Sequence, residues 1–562
     1  MPLGVPHFRR KVQDFLGRND LRLEDVDIYL TIQDSEGEIL AGGGLEGDVI
    51  KCVAVSESAR SQGLSTPLFS RLISIASERG ITNVKVFTKP GNEPVFASLG
   101  FRTIASAPKA VLMENGRGLE SYLEYLRQHR RDGRNGIIVM NANPFTNGHQ
   151  YLVRNSSSQV DNLYVMPVKE DRSRFPQLER RQMMEYGCEG MAEVLEGSAY
   201  QISSATFPTY FLKDLSDASE TQMRLDLDLF GRHIAPALGV SVRFAGIEPA
   251  DPLTARYNEL MKEILPSYGI AFCETERLCD DDGPVTASRV RKALDEGIFP
   301  LSLVPSGTWP YLVAEAVCRA MKMELDAPLK PGLVDPWHRG AHTDMDYSLM
   351  KGSIDVIRRS FIAHYDDADL IRLGKAVEND VLEYTGGVNT YRGAIFCQLI
   401  MAKAFLEMLS REGANPDKIS DQLPEAISKL AAQVKPSDTS NGGLAVKEYG
   451  VKGALAMALG GYKELFGSWL PYYRSVRGEE WGLQKTLLLI MSSLDDTCII
   501  HRAGYPRAQE VKTEASALLE AFSAAGLKAM DETFLREGIS PGGCADMLAL
   551  TILADNLLNY SN

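Results

Sequence analysis

The sequence contains no Cys-x-x-Cys pair: its eight cysteines (Cys52, Cys188, Cys273, Cys279, Cys318, Cys397, Cys498 and Cys544) are scattered over 562 residues. That spacing reads as reduced thiols in a cytoplasmic protein, not as a disulfide frame or a zinc site. An apolar run of ~18 residues, enough to cross a bilayer, is also missing. The richest stretch, Cys544 to Leu558, carries Asp546 and Asp555, so no membrane span is expected. The first 17 residues hold a basic cluster without an apolar segment, so no secretory signal is expected either. Positive charge is in deficit, with a formal net charge of −14. A chain this acidic lacks the basic footprint that nucleic acid requires.

What is present is an ordinary globular composition on a length that calls for several cores. Three regions separate. Residues 1–133 alternate strand and helix: an apolar run Val49–Val55, a turn-like segment 60–65, a helical recurrence of Leu68, Leu72, Ile75 and Ala76, then a second apolar run at 84–87. The polar, glycine-containing stretch 129–134 reads as a linker. Residues 134–308 open with Ile137-Ile138-Val139-Met140, apolar at every position, as in a parallel strand covered on both faces. Further strands are expected at 163–168 and 240–244 with helices between them, the pattern of a doubly wound sheet. Residues 309–562 carry long helical periods at 394–409, 424–434, 481–493 and 508–522, which predict an all-α domain.

The most informative stretch is Asn141-Ala142-Asn143-Pro144-Phe145-Thr146-Asn147-Gly148-His149. It follows a buried strand and precedes a helix, so free N–H groups and the helix dipole face any polyphosphate laid across it. Gly148 permits close backbone approach, and His149 aims at the same anion. A second element, Val285-Thr286-Ala287-Ser288-Arg289-Val290-Arg291, places hydroxyls and arginines at another helix start, suited to β- and γ-phosphates. Together they resemble the T-x-G-H and I-S-x-S-x-x-R signatures of HIGH-type nucleotidyltransferases, which work by positioning and charge stabilisation.

Over residues 20–308 the chain more specifically resembles the citrate lyase ligase family, through segments 168–176, 206–213 and 232–239. The resemblance implies an N-acetyltransferase-like front domain. Its central strand would be 51–55, its pyrophosphate loop 60–65, and Phe96-Ala97-Ser98-Leu99-Gly100-Phe101 a late element. Ser65 stands where that loop prefers Gly or Ala, which favours docking of a pantetheine-like arm over acetyl-CoA turnover. The implied chemistry has two steps. Acetate attacks the α-phosphate of ATP, giving acetyl-AMP and pyrophosphate. The prosthetic thiol of the citrate lyase acyl carrier subunit then takes the acetyl group and releases AMP. Asn143, Thr146, Gly148, His149 and Lys169 would bind the nucleotide, with His149 and Lys169 stabilising α-phosphate charge. Ser288, Arg289 and Arg291 would hold pyrophosphate, and Mg²⁺ would arrive on the nucleotide.

The rear region carries acidic and glycine-rich clusters: Lys330-Pro331-Gly332-Leu333-Val334-Asp335, then Gly340-Ala341-His342-Thr343-Asp344-Met345-Asp346, Gly387-Val388-Asn389-Thr390-Tyr391-Arg392-Gly393-Ala394, Asp495-Asp496-Thr497 with His501-Arg502, and Ser540-Pro541-Gly542-Gly543-Cys544-Ala545-Asp546. Close carboxylates repel and are easier to keep ionised beside a cation. In this order the clusters resemble triphosphoribosyl-dephospho-CoA synthase. That resemblance implies joining the ribosyl carbon of ATP to dephospho-CoA with loss of adenine. Asp344, Asp346, Asp495 and Asp496 are the Mg²⁺ candidates, Asp344 and Asp346 also the catalytic ones. Lys330, Asn389 and Arg392 are the phosphate candidates. Two departures stand out: Leu455-Ala456-Met457-Ala458 where the family commonly has R-G-E-A, and Leu325-Asp326-Ala327 where V-S-x-T is common. Competing readings are a ligase with an altered rear domain, a generic pantetheine-phosphate-type adenylyltransferase, and a non-catalytic acyl-CoA-sensing scaffold.

Overall fold

The computed structural model describes residues 3–559 except 61, 170–172, 203–206, 213–217, 249–250, 367–368, 413–415 and 436–440. Thr206 and Lys213 of one family segment, Glu170 to Arg172 of another, and Ser61 of the expected pyrophosphate loop therefore lie outside the described residues. The chain divides into two compact units, Met1–Val285 and Thr286–Asn562. The first is α/β with two large sheets, and the second is built from helices.

The front sheet of the first unit contains β1 (Ile28–Gln33), β2 (Ile39–Glu46), β3 (Val49–Val55), β4 (Val84–Thr88), β5 (Arg102–Ala107) and β6 (Ala110–Asn115), in the order β1-β2-β3-β4-β6-β5. It is antiparallel except for the β3–β4 pair, which is in register only at Val49/Lys85 and Ile50/Val86. The recurrence of Leu68, Leu72, Ile75 and Ala76 does make a helix, Ser65–Glu78, whose apolar stripe is buried on the sheet. Phe96 and Phe101 close on Phe69 edge to face, at 5.4 and 5.7 Å. Gly100, at φ +87°, makes the left-handed turn that lets the chain double back between them.

The second sheet is wholly parallel: β7 (Asn135–Met140), β8 (Asn162–Pro167), β9 (Glu193–Val194), β10 (Val240–Gly246) and β11 (Ala271–Thr275), in the order β11-β10-β7-β8-β9. Strand order reverses direction at β7, so the crevice outside its carboxyl end lies at a topological switch point. The two sheets share one core in which Phe87 and Leu112 of the front sheet join Ile137, Leu225 and Phe230. Phe207 meets Phe87 edge to face at 5.5 Å, Tyr210 donates to the Phe87 carbonyl at 3.1 Å, and the Thr209 amide donates to Glu24 at 2.8 Å. The described part of segment 206–213 is thus a fastener between the sheets.

In the second unit the helices Trp309–Asp326, Arg392–Glu412 and Gly542–Leu558 pack on one another as its centre. Two expectations change here. Pro424 does not begin a helix but sits inside Pro416–Ala431. The buried stripe Ile419, Leu423, Ile427 and Leu430 outweighs the hydrogen bond that proline removes. The segment Arg392–Arg411 is long and apolar enough by composition to cross a membrane, contrary to the expectation that none is. Its most apolar window is 67% buried, and Cys397, Ile400, Met401 and Phe405 are core residues.

Candidate active sites

β7 delivers the chain into the loop 141–146 at the carboxyl edge of the parallel sheet. Thr146 then caps the helix Asn147–Ser157. Its Oγ1 accepts from the His149 amide at 3.3 Å, and its own N–H donates to His149 Nδ1 at 3.0 Å. A backbone N–H can only donate, so Nδ1 is unprotonated and the neutral ring carries its proton on Nε2. Burial, then the charge of Arg277, pushes the imidazole down to about 4. Phe145, fully buried, stacks under the ring at 5.5 Å. The cap thus builds a neutral, oriented N–H donor at the mouth of the helix.

Because the folded value lies below the ordinary 6.5, stability contributed by His149 is present above about 6.5 and is lost as pH falls towards 4. An acid limb due to His149 is therefore expected near 4 in any nucleotide-dependent rate, with none near 6.5. A rate profile between about pH 4 and 8 checks this, and an acid limb near 6.5 that disappears in His149→Gln would contradict it.

Gly148 is needed for a reason other than phosphate approach. A Cβ there would meet the Val285 carbonyl at 2.4 Å, so the helix start and the strand leading to the second motif are in backbone contact. Gly148→Ala is expected to cost about 1–3 kcal/mol, measurable as a lower melting temperature.

Asn143 Oδ1 accepts from the Phe175 amide at 3.1 Å, which ties the loop to the segment after β8. Lys169 is exposed just beyond the end of β8, the strand paired with β7. Sequence reasoning missed the residue that latches these pieces. Arg180 is fully buried and donates to the Asn141 carbonyl (2.7 Å) and side chain (2.6 Å), the Val168 carbonyl (3.0 Å) and the Phe175 carbonyl (3.1 Å). Arg277 was missed too; it donates to the Ile247 carbonyl at 2.7 Å and pairs with Glu248.

In the second unit, Thr286 caps the helix Ala287–Asp295 by accepting from the Arg289 amide at 3.2 Å, and Arg291 donates to Ser288 Oγ at 3.0 Å. The rear clusters converge. His342 Nε2 lies 2.8 Å from Ser540 Oγ, and Arg502 donates to the Ala341 carbonyl at 3.2 Å. Asp496 accepts from the amides of Cys498 (2.7 Å), Ile499 (3.2 Å) and Cys544 (2.8 Å). A Cβ on Gly332 would meet the Ile539 carbonyl at 2.1 Å, and one on Gly393 would meet Asp546 Oδ2 at 2.1 Å. All five clusters are brought together by these contacts.

Several rear assignments change. Lys330 is buried and ion-paired with Glu324, also donating to its carbonyl at 2.5 Å, so it is a core cation and does not face a phosphate. Asp496 is buried under three amides and caps the helix Thr497–Ala503, and Asp495 pairs with Lys512 at 2.8 Å. Asp496 does not stand open to a metal, whereas Asp495 is partly exposed beside its lysine. Asp346 caps the helix Tyr347–His364 through the Leu349 amide at 2.9 Å. Asp344 is exposed, 3.9 Å from the His342 ring. Asn389 caps the Arg392 amide at 3.1 Å, and the Arg392 side chain is exposed and paired with Glu378 at 2.8 Å. Among the described residues no group of three or more His, Cys, Asp or Glu side chains forms a ready metal cage. Asp546, left out of the metal candidates, is pushed well above the usual carboxylate range by burial, then by Asp496 and Glu324.

A family model described as citrate lyase ligase C-terminal domain matches residues 135–312, and one described as ATP:dephospho-CoA triphosphoribosyl transferase matches 310–562. The citrate lyase ligase of Escherichia coli strain K12 is 42% identical over 317 residues, covering 54% of this chain and 89% of that protein. The probable triphosphoribosyl-dephosphocoenzyme-A synthase of Stutzerimonas stutzeri strain A1501 is 35% identical over 269 residues, 44% of this chain and 91% of that protein. The chain belongs to both families, ligase in front and synthase behind. The synthase of Klebsiella pneumoniae is likewise 34% identical to the synthase-family part, over 42% of this chain and 88% of that protein. The two family matches meet at 310–312, at the start of the helix Trp309–Asp326, whereas the compact units divide at Val285/Thr286.

Proposed function

We propose that this chain is a bifunctional enzyme that prepares citrate lyase. The ligase-family part uses ATP to acetylate the prosthetic thiol of the lyase's acyl carrier subunit through acetyl-AMP. The synthase-family part makes the precursor of that prosthetic group from ATP and dephospho-CoA. The observation that carries the first activity is the capped, neutral His149 at the switch point of the parallel sheet. Its Nε2–H is a preorganised donor for charge developing on the α-phosphate. Lys169 adds charge there, and Ser288, Arg289 and Arg291 take the pyrophosphate. On this reading residues 134–308 are the HIGH-type nucleotidyltransferase domain. Residues 1–133 are an N-acetyltransferase-like domain that docks the carrier arm. Residues 309–562 are the all-α synthase domain.

The convergence of the five rear clusters along the segment 539–546 supports the second activity. A divalent cation there fits the donor set only in part. Mg²⁺ is held by one or two carboxylates plus phosphate oxygens, and Asp344 and Asp546 are the carboxylates suited to it. When bound it supplies neutralisation of the triphosphate. Asn389 and Arg392 would then contact phosphate, and the carboxylates would stabilise positive charge developing on the ribosyl carbon as adenine departs.

One assay tests each half of the full-length protein. Acetate-dependent exchange of labelled pyrophosphate into ATP is expected from the front, and absence of exchange defeats the ligase reading. Free adenine is expected from ATP, Mg²⁺ and dephospho-CoA, and its absence means that the rear site is inactive or altered.

A further inference from the structure

A cavity of about 310 Å³ opens at the carboxyl ends of β7 and β10, on the face covered by the helices Ala218–Leu229 and Pro252–Ile264. Met140, Val168 and Met223 line it. So does Asn141, the first residue of the loop that carries Thr146 and His149. Into this mostly apolar space β10 projects Arg243, only 3% exposed. Its guanidinium lies 4.5 Å over the Phe230 ring, and Nη2 donates to the Tyr257 hydroxyl at 3.1 Å. Nη1 is buried and has no hydrogen-bond partner among the described residues, and Arg243 has no ion pair among them.

Asp226 also lines the cavity but leaves Nη1 of Arg243 unpartnered among the described residues. Asp226 accepts from the Ile202 amide at 2.8 Å and from the Tyr257 hydroxyl. Burial pushes its pKa up in spite of Arg243. Gln201 also lines the cavity with a buried Nε2 that has no partner among the described residues. A buried guanidinium nitrogen without a partner among the described residues, beside a second such donor, is costly. It is retained where a ligand supplies the missing partner.

We propose that this cavity is the acid pocket of the ligase site, and that Arg243 anchors the carboxylate of a short-chain monocarboxylic acid while the apolar wall takes its alkyl end. The two open donors, Arg243 Nη1 and Gln201 Nε2, match the two oxygens of one carboxylate, and the mostly apolar lining is unsuited to a triphosphate. The proposal rests on the ligase reading for the fate of the acid. A carboxylate oxygen attacks the α-phosphorus, the new C–O–P bond forms as the bond to pyrophosphate breaks, and no proton is transferred. Arg243 is then a substrate anchor that sets which acid enters.

The test uses full-length protein and acetate. Arg243→Met is expected to raise the KM for acetate in pyrophosphate exchange by about 10- to 100-fold, with the KM for ATP unchanged. Line broadening of carbon-13-labelled acetate by the wild type is expected to vanish in the same variant. An unchanged acetate KM in a folded Arg243→Met overturns the proposal. If Arg243→Met fails to fold, Tyr257→Phe and Gln201→Leu read the same pocket: a severalfold rise in acetate KM supports it, and no change in either overturns it. Acetate broadening that depends on Arg243, in a wild type that shows no exchange, retains the pocket and refutes the ligase reading instead.

Discussion

His149→Ala is expected to lower acetate-dependent pyrophosphate exchange by about 10²–10³-fold, the usual loss on removing one preorganised donor from a developing oxyanion. The histidine is more than a charge near a phosphate. Its Nδ1 is committed to the Thr146 amide and its ring is stacked on Phe145, so Nε2–H has little freedom to reorient as charge builds. A neutral donor is also less able than a lysine to hold ATP in the ground state, so the loss should fall on kcat more than on the KM for ATP. The structural cost is separable. Alanine leaves the Thr146 amide without its side-chain acceptor, worth about 1 kcal/mol at a helix start, while Thr146 still caps the His149 amide. The variant should therefore melt only slightly below the wild type and should release adenine from dephospho-CoA and ATP at the normal rate. Exchange at the wild-type level in a folded His149→Ala protein would remove this residue from the α-phosphate.

What could be read in the sequence, and what could not, divides by the range of the interaction. β7, β8 and β10 were legible because an apolar run between turn signals is a local property, and so was the capped start at Thr146. The rear clusters were legible as clusters. Their individual duties were not, because a carboxylate in a motif looks the same whether it faces solvent, as Asp344 does, or three amides, as Asp496 does. Lys330 misled for the same reason: its partner Glu324 lies on the preceding helix, in a segment that carried no signal. Arg180 and Arg243 were invisible. Each stands alone in an unremarkable stretch, and only the fold shows that one latches three chain segments and the other holds a buried nitrogen with no partner among the described residues. The segment around Phe207 was recognisable as a family hallmark, but its duty of joining two sheets depends on Phe87 and Glu24, more than a hundred residues away.

Asp546→Asn is expected to leave the melting temperature unchanged or raise it, while reducing adenine release by about 10²-fold or more. Asp546 is half-buried near the start of the helix Gly542–Leu558 and, among the described residues, has no ion pair. Its like-charged neighbours are fixed in place, Asp496 by its three amides and Glu324 by Lys330. The carboxyl is consequently pushed well above 3.8. A raised acid favours the fold only below its unfolded value, and that contribution is lost as pH rises through the folded one, so at neutral pH the group is a liability to stability. Asparagine keeps the shape and removes the repulsion. Asp496→Ala should behave in the opposite way. It strips three amides of their acceptor, two of them buried, at about 1–3 kcal/mol for each buried group left unsatisfied, so the melting temperature should fall and activity should fall with it. Thermal melts and adenine release measured on both variants therefore distinguish a carboxylate kept for chemistry from one kept for architecture. An Asp546→Asn protein that is less stable yet fully active would reverse the assignment.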